Sequence, residues 1–215
     1  MINNEAYLIS FETGTCGVFI KTILEQILAQ DHIAYQRVLK FPNGHAHDVS
    51  FFNPKLMDEK FYTFMANQSS DYASASEPNH NKPIIFREHC APNWEVFFNK
   101  FPNSKNIIIT FTKDMEEHVA TFSYYKYHIN MGWDVTDNIY RWVEHKFPYS
   151  YKFPLIKPKE YSERIIEIKL EEILFDKQKV LNTLTTVTSR SIPKFADETY
   201  DNYLSAQKQL FPNLF

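Results

Sequence analysis

The stretch "AYLISFETGTCGVFIKTILEQIL", Ala6 to Leu28, passes from a short apolar run through a polar loop into a longer periodic segment. Tyr7 to Phe11 is apolar but for Ser10, which predicts a buried strand. From Val18 to Ala29 the apolar residues Ile20, Ile23, Leu24, Ile27 and Leu28 recur at the three-and-four spacing of one helix face. The loop between them holds Gly14 and Gly17, two of the four glycines in the chain. Such a loop can curl so that successive backbone N–H groups aim at one anion while the helix adds its positive end. It can equally be a tight helix-entry turn. A Walker A motif requires glycine directly before the lysine and again five residues earlier. Before Lys21 stand Ile20 and Thr15, so that motif is absent.

Working outward, the same alternation continues. Ile33–Leu39 reads as a second strand, Asp58–Ala66 as a helix, and the polar segment 67–83 as a long surface loop. Strands are expected at Ile84–Arg87, Asn106–Phe111 and Arg164–Leu170. Helices are expected at Trp94–Phe101, from Asp114 onward, at Val135–His145, Lys177–Val187 and Thr199–Leu210. Asp114 with Glu117 three residues later has the form of a capping box, and the helix it opens should turn Val119, Phe122, Tyr125 and Ile129 inward. Short apolar strands alternating with helices predict an α/β fold: one domain spanning residues 1–215, with a central, mainly parallel sheet flanked by helices in three layers. A chain of 215 residues suits one such domain.

Open sheets of this kind bind ligands beyond the carboxyl ends of their strands. Three loops fall there. The first, after Phe11, contains Glu12, Thr13, Gly14, Thr15, Cys16 and Gly17. The second follows "PIIFREHCAP" and offers Arg87, able to hold developing negative charge, and His89, able to act as a general base. The third supplies Lys113 and, eight positions later, Thr121, a cation and a hydroxyl that suit a phosphate.

Composition excludes several other classes. A formal net charge of −3 leaves no basic footprint for nonspecific nucleic-acid binding. Two cysteines, Cys16 and Cys90, support neither a disulfide framework nor a zinc site, and reduced intracellular thiols are expected. His45, His47 and Asp48 could contact a metal, but a third ligand at motif spacing is missing, so no metal is expected. No apolar run has spanning length, so neither a membrane segment nor a secretory leader is expected, and a cytoplasmic location follows. The richness in Lys, Asn, Ile, Phe and Tyr over Gly and Ala points to an AT-rich, viral source.

Together the three loops resemble the sulfotransferase family. "FETGTC" stands where that family has a Pro-Lys-Ser-Gly-Thr-Thr-like loop, and "PIIFREHCAP" is similar to its "rIIKTHLP" strand. "FPNSKNIIITFTKDMEEHVAT" is similar to "FPNAKIIYIVRNPKDVAVS", and "ERIIEIKLEEILFDKQKVLNTL" to "viriryEDLleDPeavlrrL". The resemblance implies a P-loop kinase-like fold that binds 3′-phosphoadenosine 5′-phosphosulfate and passes its sulfuryl group to a hydroxyl or amine of a small-molecule or glycan acceptor. It places the catalytic base at His89, with Arg87 at the family's lysine. The 5′-phosphosulfate falls to residues 13–17, and the 3′-phosphate to Lys113 and Thr121.

The chain also departs from the pattern. Glu12 occupies the position of a Lys or Arg that assists sulfuryl departure, so Arg87 is the candidate to replace it. The family's late "RKGxxG" segment is absent, and Lys113 lacks the bidentate fork of arginine. Two alternatives therefore stand beside transfer: a binding or virion structural module that kept the fold without the chemistry, and a nucleotide-dependent kinase on the related fold.

Overall fold

The computed structural model describes residues 5–11, 15–30, 84–88, 94–124 and 158–215. The expected strand 33–39 and the helices 58–66 and 135–145 lie outside these residues, as do His45, His47 and Asp48. Strand β1 (Ala6–Phe11) is followed by helix α1 (Gly17–Ala29), strand β2 (Ile84–Glu88), helix α2 (Trp94–Lys100) and strand β3 (Lys105–Thr110). A 3₁₀ turn, Lys113–Met115, leads into helix α3 (Glu116–Tyr124). A second one, Lys159–Arg164, precedes strand β4 (Ile165–Lys169). Helices α4 (Leu170–Phe175), α5 (Lys177–Thr188) and α6 (Lys194–Leu210) complete the described residues.

The strands form one sheet in the order β2-β1-β3-β4. β1 pairs in parallel with both neighbours, with Ser10 opposite Glu88 on one side and Phe11 opposite Ile109 on the other. The α/β class and the parallel sheet expected from the alternation are thus observed. Every residue of β1 is buried, which explains a run that is apolar except for Ser10.

Two compact units divide the described chain. One holds β1, β2, α2, β3 through Ile109, the second 3₁₀ turn and β4 through Glu167. The other holds α1, the residues from Thr110 through α3, and those from Ile168 onward. In the first unit Ala6, Leu8, Ile108 and Ile165 pack with Phe97 and Phe98 of α2 and with Phe101, which follows it. Asn106, fully buried, donates its side-chain amide to the Leu8 carbonyl at 3.0 Å and to Ser10 Oγ at 3.1 Å, and accepts from Trp94 Nε1 at 2.9 Å. Arg164 lies over the Phe98 ring and donates to the carbonyls of Phe101 and Ser104.

In the second unit the apolar face of α1 is sealed by α6. Phe19 stacks on Tyr203 with ring centroids 3.8 Å apart and meets Tyr200 edge-on at 4.8 Å. Gln26 donates to Thr199 Oγ1 at 3.2 Å inside this contact. At the far end of α1, Arg190 donates to the Leu28 carbonyl at 2.8 Å, and Gln30 to that of Ser191 at 3.1 Å. Tyr200 donates to the Ile173 carbonyl, which ties α6 to α4.

One local expectation is corrected. Asp114 does not cap a helix: it lies within the 3₁₀ turn, whose N-cap is the extended residue Thr112, and α3 proper begins at Glu116. The physical reason is a competitor from elsewhere in the chain. A carboxylate from α4, that of Glu171, takes the Thr112 N–H at 2.9 Å and also accepts from the Thr112 hydroxyl, so the residue that opens the turn is held from α4. Of the inward residues expected on α3, Val119 is buried, together with Met115 and His118. The side chains of Phe122, Tyr125 and Ile129 lie outside the described residues.

Candidate functional site

The strand order decides which sheet edge can hold a ligand. From β1 the chain goes on to β2 on one side, and from β3 it goes on to β4 on the other. Adjacent parallel strands whose onward connections diverge leave a crevice beyond their carboxyl ends. Here Phe11, the last residue of β1, is the register partner of Ile109, one residue before β3 ends. The residues that follow them are the first and third loops of the sequence reading.

The first loop enters α1 through Cys16, whose φ of 63° and ψ of 18° put it in the left-handed region. That conformation is uncommon for a residue with a Cβ, and it reverses the chain directly into the helix. The first intrahelical bond runs from the Ile20 N–H to the Cys16 carbonyl at 3.0 Å. The N–H groups of Gly17, Val18 and Phe19 therefore have no acceptor within the helix. Among the described residues no side chain caps this end, and the first turn of the helix holds no acidic residue. The helix dipole is thus left uncompensated by the helix's own side chains, as an anion site requires. Gly17 opens the helix and is buried.

The side chains of this loop face inward. Thr15 is fully buried, and the Cys16 thiol accepts a hydrogen bond from the Tyr203 hydroxyl at 2.9 Å. Burial pushes the Cys16 thiol up to about 12, against a smaller opposing pull from that hydrogen bond. Cys16 is therefore a neutral core thiol, and what it offers a ligand is backbone. Glu12, Thr13 and Gly14 lie outside the described residues.

In the third loop Lys113 is exposed within the 3₁₀ turn, and among the described residues its ammonium forms no salt bridge. It is the one cation in a run with Asp114, Glu116 and Glu117. Partial burial raises the Glu116 carboxyl above its usual range, and the Lys113 charge draws it part of the way back. Thr121 is half-buried in α3. Next to it in the helix ladder, His118 is buried against the Phe211 ring, centroids 4.9 Å apart, and burial lowers it to about 4. A histidine so shifted is neutral and adds no charge near Lys113.

Of the second loop, Arg87 lies in β2 opposite Ile9 of β1, and its side chain lies outside the described atoms. His89 and Cys90 lie outside the described residues. Residues 15–17 and Lys113 thus follow neighbouring strand ends, while Arg87 is placed by its strand register alone. Sequence reasoning missed Tyr203 and Glu171. Tyr203 follows Tyr200 by three positions on one helix face, a signal for a buried aromatic seam. Glu171 is the first of two consecutive acids after β4, and nothing local distinguishes it from a solvated charge.

Among the described residues no cluster of three or more His, Cys, Asp or Glu could hold a metal ion, and no helix is long and apolar enough to cross a membrane. No family model and no curated protein matches the chain. Among solved structures it is similar to the sulfotransferase domain from the curacin biosynthetic pathway. That similarity has 14% sequence identity, covers 92% of this chain and 78% of that one, and gives a TM-score of 0.46.

Proposed function

We propose that this chain binds a phosphorylated adenosine nucleotide at the ends of β1 and β3 and acts as a sulfotransferase, with 3′-phosphoadenosine 5′-phosphosulfate as donor. One observation carries the reading: the N-terminus of α1, with neither cap nor acid among the described residues, follows the strand paired with the one that leads to Lys113. The residues present fit such a group in kind: helix-end donors with no acceptor in the helix, a buried glycine and an exposed ammonium. The sequence motifs supply the rest.

When bound, the nucleotide supplies the sulfuryl group. The backbone N–H groups of residues 13–17 hold its 5′-phosphate end, and Lys113 with Thr121 its 3′-phosphate. Arg87 offsets negative charge that develops on transfer, and His89 takes the proton of the acceptor hydroxyl or amine. No metal is needed in this scheme, and the acceptor is a small molecule or a glycan.

Calorimetry with 3′,5′-diphosphoadenosine tests the binding half, and absence of binding at millimolar concentration overturns it. A thermal-shift comparison with ATP and GTP tests the kinase alternative, because a ligand held only by the folded state raises its melting temperature. Replacing His89 by alanine tests the chemistry. Unchanged transfer to a competent acceptor rules out the base assignment.

Glu12 favours a second reading, a module that kept the fold and lost transfer, since it sets an anion where departure of the sulfuryl group calls for a cation. On this reading the natural protein binds no nucleotide and Glu12→Lys gains affinity.

A further inference from the structure

Glu171 does more than place a charge in the first turn of α4. It is the first acidic residue of α4, and its Oε1 accepts two hydrogen bonds from Thr112, one from the backbone N–H at 2.9 Å and one from the hydroxyl. Its other oxygen, Oε2, is buried without a hydrogen-bond partner. Leaving a carboxylate oxygen buried and unpaired is costly. A carboxylate that served only as a surface charge would rotate outward.

Its neighbour Glu172 has a separate task, accepting from the Lys169 N–H at 3.1 Å and pairing with Lys179 at 2.6 Å. Glu171 alone is committed to the loop after β3. Thr112 is the N-cap of the turn that begins with Lys113, so two bonds on Thr112 fix the backbone from which the lysine departs. The ammonium stays exposed and free of a salt bridge among the described residues. A long flexible cation gains most as a ligand when its base is rigid, because less freedom is lost on binding.

We propose that Glu171 is a positioning residue for Lys113: by pinning Thr112 through both its N–H and its hydroxyl, it aims the lysine at the 3′-phosphate of the bound nucleotide. This inference rests on the nucleotide-binding reading above. It carries a specificity, because Lys113 meets only the 3′-phosphate. Loss of Glu171 weakens nucleotides bearing that group and spares those without it.

The test compares binding of 3′,5′-diphosphoadenosine and adenosine 5′-monophosphate by calorimetry in the full chain, its Glu171→Ala, Glu171→Gln and Thr112→Val variants. Glu171→Ala should lose about ten-fold in affinity for the diphosphate, the scale of one hydrogen bond to a charged group, with unchanged affinity for the monophosphate. Glu171→Gln, which keeps a carbonyl to accept the Thr112 N–H, should recover part of the loss. Amide hydrogen exchange without ligand should show faster exchange at Thr112 and Lys113 in Glu171→Ala.

Equal weakening of both nucleotides, or an unchanged preference for the diphosphate, overturns the inference while the nucleotide reading stands. A natural chain that binds neither nucleotide overturns both. Unchanged exchange at Thr112 in Glu171→Ala overturns the positioning role whatever the nucleotides do.

Discussion

Asn106 reaches across from β3 to donate to the Leu8 carbonyl of β1 at 3.0 Å, although both strands already form a parallel ladder. The same side chain also joins Ser10 and Trp94, so one buried amide links β1, β3 and α2. Asn106→Leu has a similar volume but leaves the Trp94 N–H and the Ser10 hydroxyl unpaired. The expected cost is about 2–4 kcal/mol, and chemical denaturation measures it. Asn106→Asp should be at least as damaging, since a carboxylate cannot donate to the Leu8 carbonyl.

The thiol of Cys16 is raised by burial from 9.0 to about 12. An acid whose folded value is raised contributes stability that is fully present below its unfolded value and is lost as pH climbs toward the folded one. Stability should therefore fall between about pH 9 and 12. Tyr200, also raised by burial, adds to the slope above its ordinary value of 10.0. Cys16→Ala should flatten the pH 9 to 10 part of the curve, as read by denaturant midpoints at stepped pH. At neutral pH iodoacetamide should label Cys16 in the folded protein only at the rate of structural opening, because little thiolate exists.

His118 titrates at the opposite limit. Burial against Phe211 lowers it from 6.5 to about 4, so the folded state disfavours the charged ring. The unfolded chain takes up the proton first as pH falls, and stability is lost between about pH 6.5 and 4. The loss should be on the order of 2 kcal/mol. A His118→Gln variant should show a shallower acid limb in the same denaturation series. An equally steep limb would place the acid sensitivity elsewhere.

Lys113 gives the most direct test of ligand binding. Lys113→Ala should weaken 3′,5′-diphosphoadenosine about ten-fold, and Lys113→Arg should match or exceed the natural protein because guanidinium can grip a phosphate with two donors. Calorimetry at low and moderate salt separates this charge effect from a fold defect, since its screening is salt-dependent.

Much of the architecture is legible in the sequence because it is written in local period. The α1 stripe of Ile20, Ile23, Leu24, Ile27 and Leu28 is buried as its spacing requires, and "NIII" lies within β3. What sequence could not reveal is contact between distant residues. The pattern Asp114-x-x-Glu117 has the letters of a capping box, yet Glu171, 59 residues from Thr112, holds the residue that opens the turn. Cys16 reads as a loop residue of a phosphate cradle, but only Tyr203, 187 residues away, turns its thiol into core. Arg87 and Lys113 were legible as strand-end cations because strand ends can be read from where an apolar run stops. The αL turn at Cys16 could not be foreseen, because that conformation is normally signalled by glycine or asparagine.

The clamp on α1 also has a temporal meaning. Its beginning is held by Tyr203 and its end by Arg190 and Ser191, all contributed by the last stretch of the described chain. A ribosome delivers these residues 161 to 187 positions after the partners they hold. The glycine-bearing loop and its helix therefore emerge before α6 and wait, exposing Phe19 and the isoleucine face until α6 arrives. Contacts of such long sequence separation slow folding, so the nascent chain should depend on chaperones during that interval. A truncation just before Lys194 would release a chain that keeps the four described strands but leaves the turn at Cys16 without Tyr203.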